Sequence, residues 1–117
     1  MCGIVGYAGR KNVIKNIMTG LKSLEYRGYD SAGIAYIENG EITILKKAGP
    51  IKNLDKVLNY DSAASLGISH TRWATHGGAN DTNAHPHKQG KITLVHNGII
   101  ENYDVLKKRI RRKKLYI

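Results

Sequence analysis

The dipeptide Asn39-Gly40 constrains the fold more than any other short stretch, because apolar runs flank it at residues 33–37 and 42–45. Asparagine and glycine both tolerate the positive φ angles that a tight hairpin turn needs. The stretch therefore predicts two antiparallel strands joined by a two-residue turn. A sheet built from them has to bury one apolar face against other elements.

The rest of the chain supplies elements that can cover such a sheet. Between residues 11 and 25, apolar side chains recur at spacings of three and four, which predicts an amphipathic helix. The other predicted elements are a short buried strand over 1–9, a loop over 26–31, a helix from Pro50, a strand over 66–73, a long polar loop over 75–90, a strand over 92–95 and a helix from about Glu101. This order indicates an α+β fold with layered antiparallel sheet.

The 117 residues favour one domain, and the net charge of +10 raises the question of nucleic acid. Seven of the 19 basic residues fall in the run 107–114, and the other 12 stand against 9 acidic residues. Such terminal runs are usually solvated tails. A basic nucleic-acid-binding module remains the alternative, although no aromatic stacking pattern accompanies the run. We therefore expect no nucleic-acid partner.

The single cysteine, Cys2, excludes an intramolecular disulfide framework and fits a reducing cytoplasm. The sequence has no secretory signal and no apolar stretch of about 18 residues, so we expect a cytoplasmic protein without a membrane partner.

Cys2 also carries the most specific chemical hypothesis. Removal of Met1 would leave a thiol and a free α-amine on one residue. An α-amine has a pKa of about 7.7–8.0, so part of it is unprotonated at neutral pH and can accept the thiol proton. Cys2 would then supply nucleophile and base together. The alternative is a small buried cysteine without a catalytic role.

Two polar stretches hold groups that could serve such a nucleophile. The Asn97 side-chain amide and the Gly98 backbone N–H could form an oxyanion hole, although Asn-Gly is also an ordinary turn. Arg72 suits a substrate carboxylate, because its planar fork reaches both oxygens. The alternative there is a core Trp73 beside a surface arginine.

All five histidines lie in the polar stretches, which makes zinc a competing interpretation. However, His85-Pro86-His87 lacks the i, i+4 spacing of a helical ligand pair, and no cysteine pair accompanies it. We therefore expect no metal, and the absence of a phosphate-binding glycine loop between strand and helix predicts no nucleotide site.

Five stretches in order then point to one family. They are Met-Cys-Gly-Ile-Val-Gly at residues 1–6, Tyr-Arg-Gly-Tyr-Asp-Ser-Ala-Gly-Ile at 26–34, His-Thr-Arg-Trp-Ala-Thr-His-Gly at 70–77, Asn-Ala-His-Pro-His at 83–87 and His-Asn-Gly-Ile-Ile-Glu-Asn at 96–102. Together they resemble the glutaminase domain of class II glutamine amidotransferases, which are N-terminal nucleophile hydrolases. Within the class, the second and third stretches are similar to the members that pass the ammonia to fructose 6-phosphate.

The resemblance implies a four-layer αββα sandwich of antiparallel sheets and a substrate, L-glutamine, whose side-chain amide is hydrolysed through a thioester. It implies catalytic roles for Cys2, Asn97, Gly98 and Arg27, with Arg27 ordering the site. The glutamine site would be formed by Arg72, Trp73, Thr75 and His76. No organic cofactor is implied, and full-length members are expected to form homodimers.

The resemblance covers about residues 1–106, and residues 107–117 depart from it as a basic tail. Members of the family continue with a Ser-Glu-Thr-Asp-Thr-Glu segment, whose aspartate binds the α-amine of glutamine, and with sugar isomerase domains. The sequence therefore predicts a fragment of the fold that is incomplete at the C-terminus. We expect it to be poorly stable, to hydrolyse glutamine slowly and to make no amino sugar alone.

Overall fold

The computed structural model describes residues 2–27, 30–73, 78, 80–81 and 83–113. The elements are β1 (Gly3–Ala8), α1 (Val13–Ser23), a 3-10 turn (Glu25–Arg27), β2 (Ser31–Glu38), β3 (Glu41–Ala48), α2 (Ile51–Asp55), β4 (Leu66–Arg72), β5 (His87–Gln89), β6 (Ile92–Leu94) and α3 (Tyr103–Arg112). Within these ranges no helix is long and apolar enough to cross a membrane.

Four strands form an antiparallel sheet in the order β1-β4-β2-β3. The predicted hairpin is confirmed, because β2 and β3 pair up to Glu38 opposite Glu41 across the turn. Asn39 and Gly40 have φ angles of 53° and 79°, as a two-residue hairpin turn requires. β5 and β6 form a separate antiparallel pair.

The core lies between one face of this sheet and the helices. The apolar stripe of α1 is buried as its periodicity predicts, and α2 adds two more side chains to the same cluster. The buried cluster includes Val13, Ile14, Ile17, Met18, Leu21, Ile34, Ile51 and Leu54. Burial of these side chains is the main favourable term holding α1 and α2 on the sheet.

The structure corrects two features of the sequence-based expectation and extends a third. β1 is an edge strand rather than a buried one, and its Ile4 and Tyr7 are 41% and 38% exposed. β5 lies inside the expected loop 75–90, because a three-residue His-Lys-Gln strand has no apolar alternation to reveal it. The helix expected from about Glu101 is α3, and it continues to Arg112, so the basic run is helical over much of its length.

Gly33 in β2 is where the sheet meets the loop that carries His85. A Cβ added at Gly33 would lie 2.0 Å from the backbone oxygen of His85, so the loop would have to move. We expect Gly33→Ala to lower the free energy of unfolding by about 1–3 kcal/mol, measured by urea denaturation at pH 7.

The matched control for this prediction is Gly6→Ala in β1, where an added Cβ meets only ordinary contacts at 3.8 and 3.9 Å. We expect its stability to stay within about 0.5 kcal/mol of the wild type. Equal stabilities of the two variants would show that the close approach of Gly33 and His85 does not restrict the backbone.

Candidate functional site

Pairing between β1 and β4 places Cys2 beside the end of β4. Gly3 is opposite Thr71, and the Gly3 N–H donates to Thr71 Oγ1 at 3.2 Å. Cys2, one residue earlier, is partly buried and contacts the backbone of Trp73. The Trp73 N–H donates to Cys2 Sγ at 3.4 Å, and the thiol lies 3.8 Å from the Trp73 carbonyl oxygen. The end of β4 therefore holds the thiol from one side.

Asn97 meets the same segment, although it is 95 residues away in the chain. Its Nδ2 donates to the carbonyl oxygen of Cys2 at 3.1 Å. Its Oδ1 lies 2.8 Å from Nε2 of His70, a fully buried residue of β4. A side-chain amide has two N–H groups, so one contact to Cys2 leaves the second for a ligand.

Gly98 follows with φ 126°, in the region that side chains rarely adopt. Only glycine takes this backbone conformation without strain. The backbone conformation next to Asn97 therefore requires glycine at position 98. Asn97 and Gly98 are both exposed.

The burial of Arg72 and Trp73 contradicts the alternative hypothesis of a core tryptophan beside a surface arginine. Arg72 is 7% exposed and Trp73 is 48% exposed. The Arg72 Nη1 donates to the carbonyl oxygen of Gly78 at 2.9 Å, and its own carbonyl accepts from the Asp30 N–H at 3.3 Å. The buried guanidinium is thus attached to the loop after β4.

The expected site roles of three residues cannot be compared with the structure. Thr75 and His76 lie outside the described residues. Arg27 lies in the 3-10 turn, but its side chain is also outside the described part. Their expected roles stay predictions.

The histidines form a row of aromatic contacts next to Asn97. The rings of His70 and His85 stack at 4.2 Å between centroids with an interplanar angle of 21°, and His87 tilts against His85 at 4.4 Å. The His96 N–H donates to Nδ1 of His85 at 3.3 Å. Among the residues with described positions, no three His, Cys, Asp or Glu side chains come together as metal ligands.

The protonation of this row gives a stability prediction. Burial, followed by the nearby His70, His87 and Arg72, lowers the pKa of His85 from 6.5 to about 3. Burial also lowers the pKa of His70 and of His87. The unfolded chain therefore binds more protons than the folded chain between about pH 3 and 6.5, and stability rises with pH across that window.

We expect the urea midpoint to be lower at pH 5 than at pH 7.5, because the histidines take up protons more readily in the unfolded chain than in the folded chain. Carboxylates change their charge little between these two pH values, so the difference reports the histidines. His85→Gln removes one of the titrating groups and should narrow the difference between the two midpoints. An unchanged difference in this variant would contradict the assignment.

No family model matches the chain. Glutamine–fructose-6-phosphate aminotransferases (isomerizing) match at high identity: 56% over 116 residues in Pyrococcus horikoshii, 53% over 116 residues in Chlorobaculum tepidum and 52% over 117 residues in Streptomyces coelicolor. These alignments cover 97%, 94% and 97% of this chain, and the chain spans about a fifth of each relative, 19% in all three.

Two solved structures share the fold over the whole chain. Glutamine phosphoribosylpyrophosphate amidotransferase from B. subtilis superposes with a TM-score of 0.83 at 24% identity. A structure described as the allosteric regulatory enzyme of purine biosynthesis gives 0.85 at 26% identity. The chain covers 26% of each of these proteins.

The fold is therefore the α+β fold of the N-terminal nucleophile hydrolases, in the form that glutamine amidotransferases have. By sequence the chain belongs to the family of the glutamine–fructose-6-phosphate aminotransferases, and it corresponds to their N-terminal part. The expected family resemblance and fold class are confirmed.

Proposed function

We propose that this chain carries the glutaminase chemistry of its relatives, the release of ammonia from the side-chain amide of L-glutamine. The contact between Asn97 Nδ2 and the Cys2 carbonyl, at 3.1 Å, is the observation that supports it best. It puts a side-chain N–H donor beside the residue that carries the thiol. A nucleophile and an oxyanion donor have to meet in this way for acyl transfer.

In the proposed reaction the α-amine of Cys2 accepts the thiol proton, and the sulfur attacks the amide carbon of glutamine. The second N–H of Asn97 and the backbone N–H of Gly98 stabilise the oxyanion. The carbon–nitrogen bond breaks, and ammonia leaves with the proton from the amine. Water then attacks the γ-glutamyl thioester, which releases glutamate and regenerates the thiol.

The remaining residues bind glutamine in this proposal. Arg72 presents its guanidinium to the α-carboxylate with Thr75 and His76, Trp73 gates the pocket, and Arg27 orders the site. The Arg72 guanidinium, whose planar fork suits a carboxylate, is held beside the loop after β4 by its bond to the Gly78 carbonyl oxygen. Residues 1–106 form the glutaminase part, and residues 107–117 a basic extension.

The relatives named above act on fructose 6-phosphate as well. We propose that this second substrate meets only the parts of those proteins that the chain does not span. We also propose that the full-length protein forms a homodimer, is cytoplasmic and has no nucleic-acid partner.

The test uses the full chain and γ-glutamyl p-nitroanilide, in which a coloured amine replaces ammonia. Acylation of Cys2 should release a burst of p-nitroaniline close to one equivalent of protein, followed by slow turnover. The matching β-aspartyl anilide, one methylene shorter, should give none. A folded chain that has lost Met1 and still gives no burst would contradict the proposal.

A further inference from the structure

His70 is the buried side chain that contacts Asn97 from within the sheet. It lies in β4, is 0% exposed, and its Nε2 is 2.8 Å from Asn97 Oδ1. His70 belongs to one of the stretches that carry the family resemblance, and the reaction proposed above does not use it. It therefore contacts the proposed oxyanion donor without taking part in the reaction itself.

The hydrogen-bond pattern assigns both partners. Asn97 Nδ2 faces the carbonyl oxygen of Cys2, which can only accept. A flipped amide would put two oxygens against each other, so Asn97 Oδ1 must face His70. Since Oδ1 can only accept, His70 donates through Nε2–H.

The His70 ring is itself supported on a rigid frame. His85 stacks on it at 4.2 Å, and His85 is fixed by the His96 N–H on Nδ1 and by the close approach of its carbonyl to Gly33. Burial lowers the pKa of His70 and so favours the neutral ring, which can still donate through Nε2–H. Side chains held by a packed strand keep a site in its productive geometry.

We propose that His70 is a positioning residue that orients the Asn97 amide toward the nucleophile. Without the bond from Nε2–H, only the Cys2 carbonyl oxygen would hold the amide, and its N–H groups would be aimed less firmly at the developing oxyanion. This inference rests on the proposed function, because it assumes that Asn97 stabilises an oxyanion. Its effect should appear in the acylation step rather than in glutamine binding.

The experiment measures the p-nitroaniline burst rate of the full chain. His70→Leu should lower the rate by about 10- to 100-fold with little change in KM, the range that misplacement of a catalytic group produces. His70→Gln, whose Nε2 donor reaches a similar point, should recover it to within about fivefold of the wild type. His87→Gln is the matched control and should keep the wild-type rate, because His87 contacts the His85 ring, whereas the hydrogen bonds of Asn97 go to His70 and Cys2.

A double-mutant cycle separates positioning from other effects. In an Asn97→Ala background, His70→Leu should change the rate by less than about twofold, because the group it positions is gone. A full loss in that background would overturn the inference, and so would a wild-type rate in the single variant. If His70→Leu fails to fold, His70→Asn takes its place, since it is polar but one methylene shorter than glutamine.

A readout without chemistry keeps this inference apart from the proposed function. NMR relaxation of the Asn97 side-chain ¹⁵N reports how firmly the amide is held. His70→Leu, or His70→Asn in its place, should increase its motion, and His87→Gln should not. If the wild type gives no burst but the amide loosens as expected, the proposed function fails and the positioning stands; an amide that stays equally rigid overturns the positioning.

Discussion

Cys2→Ala is expected to abolish the burst of p-nitroaniline from γ-glutamyl p-nitroanilide. The sulfur is the attacking atom, and loss of the nucleophile alone costs about 10⁶-fold in a serine protease. Cys2→Ser keeps the shape but offers a weaker nucleophile, so it too should give no measurable burst. The measurement is absorbance of p-nitroaniline in the first turnover.

The control for this prediction separates the thiol from the amine. Insertion of one lysine between Met1 and Cys2 keeps the thiol but moves the α-amine to another residue. We expect the burst to slow by about 10²- to 10⁴-fold, the contribution of a positioned general base. A wild-type burst in this variant would show that the amine of Cys2 is not the base.

Asn97→Ala should lower the burst rate by about 10²- to 10³-fold, which corresponds to about 2.7–4 kcal/mol of transition-state stabilisation. The variant removes a side-chain donor that lies 3.1 Å from the Cys2 carbonyl, and with it the bond to His70. Alkylation of Cys2 by iodoacetamide has no oxyanion to stabilise, so its rate should stay close to that of the wild type.

The control is Asn16→Ala, an exposed asparagine of α1, which should keep the wild-type burst. If Asn97→Ala falls by less than about threefold while the protein remains folded, its amide is no oxyanion donor. A parallel loss of iodoacetamide reactivity would instead indicate that the whole site has been disturbed.

Features that depend on neighbouring residues were predicted well. Asn39-Gly40 specified the hairpin, because a two-residue turn needs positive φ at both positions. The stripe of α1 specified its buried face, because the helical period alone puts those side chains together. In both cases the sequence pattern and the structure share one local cause.

Features that depend on pairing between distant segments were not predicted from the sequence. β1 reads as a buried strand, yet it lies at the edge of the sheet, since composition does not tell which strands lie on either side. β5 is too short and polar to show alternation.

In the candidate site, too, some residues were predicted from the sequence and one was not. Cys2, Arg72 and Asn97 were predicted from their residue types and from the resemblance, and the structure brings Asn97 to the backbone of Cys2. His70 was missed because its contact depends on a residue 27 positions further along the chain. One signal was available: His70 and Arg72 are two apart in a strand, so they share a face.

Mass spectrometry of the full chain after treatment with 6-diazo-5-oxo-L-norleucine shows directly whether an N-terminal Cys2 is the nucleophile. This glutamine-like electrophile carries the same α-amino acid group, so it should bind as glutamine does and react with the nucleophile. We expect a chain that begins at Cys2 and carries one adduct, on Cys2, formed more slowly in the presence of glutamine. A chain that keeps Met1, or one that gives no adduct on Cys2 while folded, would contradict it.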